Sequence, residues 1–355
     1  MARVAVMGAG SWGTAFASVV SRGGHDTRLW ARRAELAEAI SKTHENLDYL
    51  PGVKLPVSLR ATSDPREALV GAEVVALALP SHALREGLVL FRPFMPAGAP
   101  LVSLTKGIEG ETLMRMSEVI RDVTGAPAEQ VAVLSGPNLA GDIARRLPSA
   151  TVVATPDPLV AIRLQKCFQV PYFQVYMSPD VVGTELGGAT KNYLAIAVGM
   201  AEGVGLGDNA KALLVTLGLS EMTRLGMRLG ANPLTFSGLA GIGDLLATCM
   251  SRQSRNRHVG EQLGRGRRLD EIFAEMRMVA EGVKLPRAVV ALARRERVEM
   301  PIAENVGKVL YEGMSPKDML LSLLSRQTEA GMAAIRPARR RNGIQVRQAA
   351  GYACT

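Results

Sequence analysis

The sequence predicts a doubly wound α/β domain followed by an all-α domain, and three observations carry this prediction. A glycine-rich turn joins an apolar strand to a helix of small residues within residues 4–20. Short apolar runs then recur as far as residue 176, as expected for parallel strands that are buried on both faces. From Glu185 onward, the apolar residues follow helical spacing. The length of 355 residues also exceeds what a single core usually holds.

The first element is a strand at residues 4–7, which runs into a turn carrying Gly8, Gly10 and Gly13 and then into a helix. In such a unit the first glycine makes a tight turn and the second lets a pyrophosphate approach the backbone. The third lets the helix pack on the strand, and the helix N-terminus then faces the phosphates. This context predicts a Rossmann-type dinucleotide site, with a glycine turn that binds nothing as the alternative.

The second predicted strand covers residues 28–30, and Arg32 and Arg33 follow it. An NAD-binding unit usually carries an acid at this place, where it accepts hydrogen bonds from the ribose hydroxyls. Two guanidinium groups suit a 2′-phosphate instead. We therefore expect NADP(H) to be the preferred cofactor and NAD(H) to be possible. The alternative is a pair of solvated arginines at a helix start.

Further strands follow an irregular stretch at residues 42–60 and a short helix capped by Asp64. They are expected at residues 74–79, 101–105, 130–134, 150–154 and 172–176. Lys106 comes directly after one of them, and a lysine at the carboxyl end of a parallel strand points towards the ligand crevice. The loop at residues 135–140 is rich in small residues, so its backbone groups can line a pocket.

Two clusters in the helical part suggest chemistry. Lys191 lies in a stripe of glycine, alanine and isoleucine that would remove water from it, which makes it a candidate for proton transfer. The alternative is a lysine that extends from a helix edge to solvent. Asp244 follows a glycine-rich turn at a helix start. Beyond it, Ser254, Arg255 and Asn256 supply hydroxyl, guanidinium and amide donors in consecutive positions, which suits a phosphate.

We expect three segments: a dinucleotide-binding domain at 1–180, an all-helical substrate domain at 181–330, and a basic, disordered tail at 331–355. Five arginines lie in the last twenty residues, and without them the formal charge falls from +9 to +4. A solvated tail is favoured over a functional basic arm. A nucleic-acid binder would spread basic residues and stacking aromatics through its folded body, but aromatics make up only 4% of the chain.

The composition predicts a cytoplasmic protein. No apolar run approaches the roughly 20 residues that span a bilayer, and no signal-peptide pattern opens the chain. Cys167, Cys249 and Cys354 show no metal-ligand spacing, so neither a disulfide framework nor a metal site is expected.

Seven blocks of this sequence closely resemble the bacterial NAD(P)-dependent glycerol-3-phosphate dehydrogenases, and the resemblance runs from residue 2 to about residue 326. The blocks are residues 8–13, 105–107, 135–137, 189–192, 241–245, 254–257 and 279–282. The resemblance implies reversible reduction of dihydroxyacetone phosphate to sn-glycerol 3-phosphate for phospholipid synthesis. It also implies a homodimer.

The same resemblance implies roles for individual residues. Lys191 matches the proton donor and acceptor, and Lys106 and Asp244 complete the catalytic site. The cofactor positions are Gly8, Gly10, Ser11, Trp12, Gly13, Arg32, Arg33, Tyr49, Lys106, Ala140, Arg255, Val279 and Glu281. The substrate positions are Lys106, Gly136, Asn138, Lys191, Asp244, Ser254, Arg255 and Asn256.

Two features depart from the family pattern. Asn138 stands where the family usually has Ser or Thr, and Leu139, Gly141 and Asp142 also differ from its Phe-Ala-Lys/Glu-Glu block. An amide can still donate and accept hydrogen bonds, so we expect altered substrate affinity and a retained reaction. The tail after Arg326 has no counterpart at the usual end of the family.

Two other functions are weighed against this one. A related two-domain dehydrogenase could act on another small hydroxy acid or sugar acid, but a carboxylate would not need three adjacent donors in the second domain. A catalytically silent NADP(H) sensor would not need Lys106, Lys191 and Asp244 together.

Overall fold

The computed structural model describes residues 1–276 and 281–325. Its central feature is one eight-stranded sheet in the order β3-β2-β1-β4-β5-β6-β7-β8. The strands are β1 (Arg3–Met7), β2 (Asp26–Trp30), β3 (Arg60–Thr62), β4 (Val74–Leu77), β5 (Leu101–Ser103), β6 (Val131–Ser135), β7 (Ser149–Ala154) and β8 (Phe173–Ser178). The predicted doubly wound sheet is thereby confirmed.

Helices cover both faces of this sheet. They are α1 (Ser11–Arg22), α2 (Ala34–Thr43), α3 (Pro65–Leu69), α4 (Leu84–Phe91), α5 (Met116–Thr124), α6 (Ala140–Ala144) and α7 (Pro158–Phe168). One face packs against α1, α2, α6 and α7, where Phe16 and Phe168 meet edge to face at 4.9 Å. The other face packs against α3, α4 and α5. Two apolar cores therefore hold the sheet between them.

Two details of the sheet differ from the sequence-based expectation. A short strand, β3, pairs with β2 directly after the stretch that reads as irregular. In addition, β7 runs antiparallel to β6, through the pair Leu134 and Val153, before β8 restores a parallel neighbour. Apolar composition marks a strand as buried but carries no information about its direction, which the connecting chain decides.

Every regular element described after β8 is helical. The helices are α8 (Val181–Val204), α9 (Gly207–Arg228), α10 (Pro233–Phe236), α11 (Asp244–Met250), α12 (Arg255–Gly264), α13 (Leu269–Glu275), α14 (Leu285–Arg295), α15 (Pro301–Tyr311) and α16 (Pro316–Ser325). This change of architecture supports the proposed division at residue 180. The predicted end of the second domain at residue 330, and the tail at 331–355, lie outside the described residues.

Helix α8 is the axis of the helical part. Nineteen of its 24 residues are buried, from Gly183 to Ala201. Glycines allow the close approach of its neighbours, since a Cβ on Gly260 of α12 would lie 2.0 Å from the carbonyl oxygen of Ile196. A helix that is apolar around its whole circumference belongs in the centre of a core. The lysine on this helix is therefore carried into the interior.

Two carboxylates fix α8 in place. Glu185 is 94% buried and accepts hydrogen bonds from Arg115 and from both the backbone N–H and the hydroxyl of Ser117, at 2.6 to 2.8 Å. This pins α8 to the start of α5 on the sheet domain. Asp180 caps α8 through the N–H of Gly183 and also accepts from Thr235, which lies on α10. These two carboxylates therefore contribute polar contacts that hold α8 against its neighbours.

One stretch, Pro233–Met250, is by length and composition apolar enough to cross a membrane, with a mean hydropathy of 1.2. Contrary to the sequence-based expectation, one run therefore does approach the roughly 20 residues that span a bilayer. In the structure it forms α10, a π-helical turn (Leu239–Gly243) and α11. It also carries the buried carboxylate of Asp244. A charged group at the centre of a bilayer is costly, whereas here it meets partners inside the protein.

Candidate active site

The glycine turn after β1 has the form that a dinucleotide needs. Gly8 has a φ of 129°, and a Cβ on it would lie 2.5 Å from the carbonyl oxygen of Ala78 on the neighbouring segment. A Cβ on Gly13 would lie 1.9 Å from the carbonyl oxygen of Gly8, so α1 packs directly on the turn. Around Gly10 there is open space. The open glycine precedes an N-terminus without a side-chain cap, which leaves room and donors for a pyrophosphate.

A loop folds over this turn and is held by Asn46, a residue that is not among those predicted from the sequence. The fully buried amide of Asn46 donates to the carbonyl oxygen of Ala9 at 2.9 Å and to the Thr14 hydroxyl at 2.8 Å. Its oxygen accepts from the Tyr49 N–H, and the Ser11 hydroxyl donates to the Tyr49 carbonyl at 2.6 Å. Ser11 and Tyr49, both predicted cofactor residues, are therefore brought together.

The two arginines after β2 do not have equal surroundings. Arg32 is exposed, and Arg33 is the residue before α2 and forms an ion pair with Asp48. Asp48 raises the pKa of Arg33. Asp48 lies in the same loop as Asn46. An acid that is distant in sequence from the usual ribose-binding position therefore reaches Arg33, just after β2.

The remaining predicted cofactor residues are spread around the crevice. The Trp12 ring contacts the rings of Phe16 and Phe173 on α1 and β8. Ala140 is the first residue of α6. Val279 lies outside the described residues, and Glu281 begins the turn Glu281–Val283.

The centre of the site is a carboxylate shared by two lysines. Asp244, only 1% exposed, accepts from Lys106 at 2.6 Å through one oxygen and from Lys191 at 2.5 Å through the other. Lys106 also donates to the Gly136 carbonyl at 3.0 Å. The three predicted catalytic residues thus form one cluster between the sheet and the helical part.

A second contact orients Lys191. Its ammonium group donates to the hydroxyl of Thr248 at 2.5 Å, and Thr248 in turn donates to the Asp244 backbone carbonyl at 2.7 Å. Thr248 is not among the residues predicted from the sequence, although it lies four residues after Asp244 and hence on the same face of α11. The side chain of Lys191 is 8% exposed and has a fixed position.

The electrostatics of the cluster affect Lys106 most clearly. Burial lowers the pKa of Lys106 to about 8. The effect of burial outweighs the attraction of Asp244, which raises this pKa, and the like charge of Lys191 lowers the pKa further. One carboxylate therefore faces two ammonium groups. Such a site is rich in positive charge and suits a substrate oxygen that gains negative charge.

Glycines in α8 make this convergence possible. A Cβ on Gly187 would lie 2.2 Å from the carbonyl oxygen of Ala240 in the π-helical turn, and one on Gly188 would lie 2.3 Å from the Ser135 hydroxyl. Larger residues would push α8 away from both the turn that leads to Asp244 and the strand end that leads to Gly136. Gly187 and Gly188, just before Lys191 on α8, therefore let the helix pack closely against both segments.

Asn138 is held at the edge of the same site. Its side-chain N–H donates to the Thr151 hydroxyl at 2.9 Å, and its amide oxygen is buried with no partner among the described residues. Its backbone N–H donates to the Gly136 carbonyl at 2.7 Å. The residue that departs from the family pattern therefore keeps a polar atom unused by the protein.

The three consecutive donors predicted to bind phosphate differ in what they do. The buried Ser254 hydroxyl caps α12 by accepting from the Arg257 N–H at 3.2 Å. Asn256 bridges Asn192 and the Gly282 N–H, each at 3.0 Å. Arg255, in contrast, is exposed. Binding of one anion by all three donors stays a prediction, because Ser254 and Asn256 already bond to protein groups in this structure.

A pocket of about 120 Å³ adjoins the cluster and is lined by Lys106, Asn192, His82 and Lys284 together with apolar residues. Asn192 is buried and is another residue missed as a site component, although it belongs to the block around Lys191. Within residues 1–276 and 281–325, no group of three His, Cys, Asp or Glu side chains is arranged to hold a metal ion.

A dinucleotide crevice bordered by a buried lysine–aspartate–lysine cluster, with a helical part closing over it, defines a two-domain NAD(P)-dependent dehydrogenase. Models of the NAD-dependent glycerol-3-phosphate dehydrogenase N-terminus and C-terminus match residues 3–161 and 180–321. The chain belongs to the NAD-dependent glycerol-3-phosphate dehydrogenase family.

Its relatives include a Streptomyces coelicolor protein named glycerol-3-phosphate dehydrogenase (NAD(P)+), which is 54% identical over 92% of this chain and 97% of its own length. A Mycobacterium tuberculosis protein, named as the second such enzyme, is 52% identical over the same shares.

Solved structures are also similar to this chain. The glycerol-3-phosphate dehydrogenase of Coxiella burnetii aligns with a TM-score of 0.87 at 36% identity, covering 92% of this chain and 99% of its own. A ketopantoate reductase family protein from Ralstonia eutropha, at 17% identity and a TM-score of 0.58, covers 89% of this chain and 99% of its own and shares the fold alone.

Proposed function

We propose that this protein reduces dihydroxyacetone phosphate to sn-glycerol 3-phosphate, reversibly and with a nicotinamide cofactor, and so supplies glycerophospholipid synthesis. The observation that carries the proposal is the cluster of Lys106, Asp244 and Lys191 at the mouth of a dinucleotide crevice. Membership of the family and 54% identity to a protein named for this activity support it.

The bound cofactor supplies the hydride that is exchanged with C2 of the substrate. Lys191 delivers the proton to the C2 oxygen during reduction and removes it during oxidation. Asp244 and Thr248 hold the Lys191 ammonium group in one orientation. Lys106 adds positive charge beside the developing alkoxide. The pocket beside Lys106 offers the substrate a route to this cluster.

Arg255 is proposed to bind the substrate phosphate. It opens α12, and the N-terminus of a helix favours anions. Ser254 shapes this helix start, and Asn256 fixes the Asn192 amide beside the pocket. Gly136 and Asn138 complete the proposed substrate residues: Gly136 accepts a hydrogen bond from Lys106, and the buried amide oxygen of Asn138 has no partner among the described residues.

NADP(H) is proposed as the preferred cofactor and NAD(H) as a possible one. The exposed Arg32 supports this preference most directly, since Arg33 already faces Asp48. The proposed cofactor residues remain Gly8, Gly10, Ser11, Trp12, Gly13, Arg32, Arg33, Tyr49, Lys106, Ala140, Arg255, Val279 and Glu281.

An assay of NADPH and NADH oxidation tests the reaction, with dihydroxyacetone phosphate compared with dihydroxyacetone. We expect activity with the phosphorylated substrate only. Lys191→Ala should reduce kcat by about 10²- to 10⁴-fold while NADPH still binds. Lys191→Arg keeps the charge but does not release a proton readily, so it should not restore kcat. An active arginine variant would show that Lys191 acts only as a charge, and equal use of both substrates would remove the phosphate assignment.

A homodimer in the cytoplasm completes the proposal. Leu234 and Met250, 74% and 76% exposed, leave apolar surface for a second copy to cover. Cys167 and Cys249 are free and buried, which suits a reducing compartment. Light scattering after gel filtration distinguishes a dimer from a monomer.

A further inference from the structure

The two parts of the chain also meet beside the cofactor crevice, at a contact outside the catalytic cluster. Gln253, in the turn before α12, donates its side-chain N–H to the Asp142 carboxylate on α6 at 2.8 Å. These residues are separated by 111 positions in the sequence. Asp142 lies two residues after Ala140, and Gln253 lies two residues before Arg255. The contact therefore bridges the crevice between two proposed cofactor residues.

Space for this contact depends on a glycine. A Cβ on Gly141 would lie 2.5 Å from the side-chain oxygen of Gln253, so any larger residue would displace the Gln253 amide. Gly141 therefore makes room for Gln253, and Asp142 receives its hydrogen bond.

Both residues of the contact make further hydrogen bonds. The Gln253 N–H donates to the Ser251 hydroxyl at 3.1 Å, and the Ser251 carbonyl accepts from Ser254 and Arg257 at 3.2 and 3.1 Å. On the other side, Asp142 also accepts from Arg145 at 2.7 Å. A restraint on Gln253 is thus passed to the start of α12.

We propose that the Asp142–Gln253 hydrogen bond is a latch that closes the cofactor crevice and slows release of the dinucleotide. It rests on the proposed function, because Ala140 and Arg255 flank the cofactor only under that assignment. On that assignment, α6 and the turn at residues 251–254 have to separate before the dinucleotide leaves. Breaking the latch should speed dissociation more than association, since the hydrogen bond exists only in the closed state.

Stopped-flow fluorescence of NADPH on the full-length protein, chased with excess NADP+, measures the dissociation rate. Gln253→Ala and Asp142→Ala should each raise the dissociation rate by about three- to tenfold, the worth of one ordinary hydrogen bond, because solvent exposure weakens the charge assistance at this site. The double variant should be no faster than either single one, because both remove the same bond. Gly141→Ala should give the same acceleration with both partners present.

Arg145→Ala is the matched control, since it removes the other partner of the Asp142 carboxylate and leaves the latch. It should keep the wild-type dissociation rate. Unchanged rates in Gln253→Ala, or a double variant whose effect is the product of the two single effects, would overturn the proposal. Failure of the proposed function would appear separately, as wild-type protein that binds NADPH but does not oxidise it with dihydroxyacetone phosphate.

Discussion

Replacing Asp244 by asparagine removes the one negative charge that two buried lysines share. The substitution keeps the shape of the side chain and one acceptor oxygen, so packing changes little. Lys106 and Lys191 are then left as two like charges around a neutral amide. Because a buried pair that loses one partner costs about 3–5 kcal/mol, we expect a lower free energy of unfolding at neutral pH and a strong effect on titration.

The size of the effect on Lys106 follows from the geometry. Two unit charges about 4 Å apart interact by about 4 kcal/mol at an effective dielectric constant of 20, which corresponds to about three pKa units. The remaining amide dipole and local relaxation reduce this figure, so we expect the pKa of Lys106 to fall from about 8 by at least one unit. In wild type, kcat/KM for reduction should decline as pH rises through about 8, where Lys106 loses its proton.

The assay is kcat/KM for dihydroxyacetone phosphate from pH 5.5 to 9.5 in wild type and Asp244→Asn. The variant should show its decline below pH 7, and even at its best pH it should be at least about 10²-fold less active, since Lys191 is no longer oriented. Lys106→Arg in the wild-type background should move the decline to higher pH. An Asp244→Asn profile with the wild-type shape would refute the assignment of this titration to Lys106.

Two further predictions follow from other charged groups. Asp48→Ala should free Arg33 for a 2′-phosphate and raise the ratio of kcat/KM with NADPH to kcat/KM with NADH by about two- to fivefold, the worth of an exposed ion pair. Arg32→Ala should lower that ratio. Steady-state kinetics with both cofactors measure the ratio, and equal changes in kcat/KM with both cofactors would contradict the assignment. Glu221 of α9 accepts from Tyr193 and from the Ile302 and Ala303 N–H groups at the start of α15, and burial raises its pKa from 4.5 to about 7. Between pH 4.5 and 7 the folded protein therefore binds more protons at Glu221 than the unfolded protein does. The stability that the protonated Glu221 contributes to the folded state is complete below pH 4.5 and is lost as pH rises to about 7. Denaturant unfolding should show a loss of up to about 3 kcal/mol over that range that Glu221→Gln lacks, and parallel pH profiles for the two proteins would contradict the prediction.

Local chemistry made much of the first domain predictable. Gly8 needs a positive φ and Gly13 a close contact, and both requirements are met within a single turn, so they can be read from spacing alone. The buried strands and the change to helical spacing are equally local. By contrast, the direction of β7 depends on the course of the chain around the sheet, which spacing does not encode.

The three clustered charges of Lys106, Lys191 and Asp244 were predictable as candidates from the sequence, but the network that joins them was not. Lys191 and Asp244 stand out by their surroundings, whereas the role of Asp244 as partner to Lys106 joins positions 138 residues apart. Asn46 carries no sequence signal, because an asparagine in an irregular stretch is ordinary. The hydrogen bonds that occupy Ser254 and Asn256 likewise depend on the cap of α12 and on the turn at Gly282.

The pairing of Lys106 with Asp244 also has a consequence for biosynthesis. Lys106 leaves the ribosome 138 residues before the carboxylate that will neutralise it. Until then the sheet can fold, but this ammonium group has to stay hydrated at its edge. Burial of Lys106 must wait for the helical part to dock. The catalytic centre is therefore complete only when the helical part has docked on the sheet.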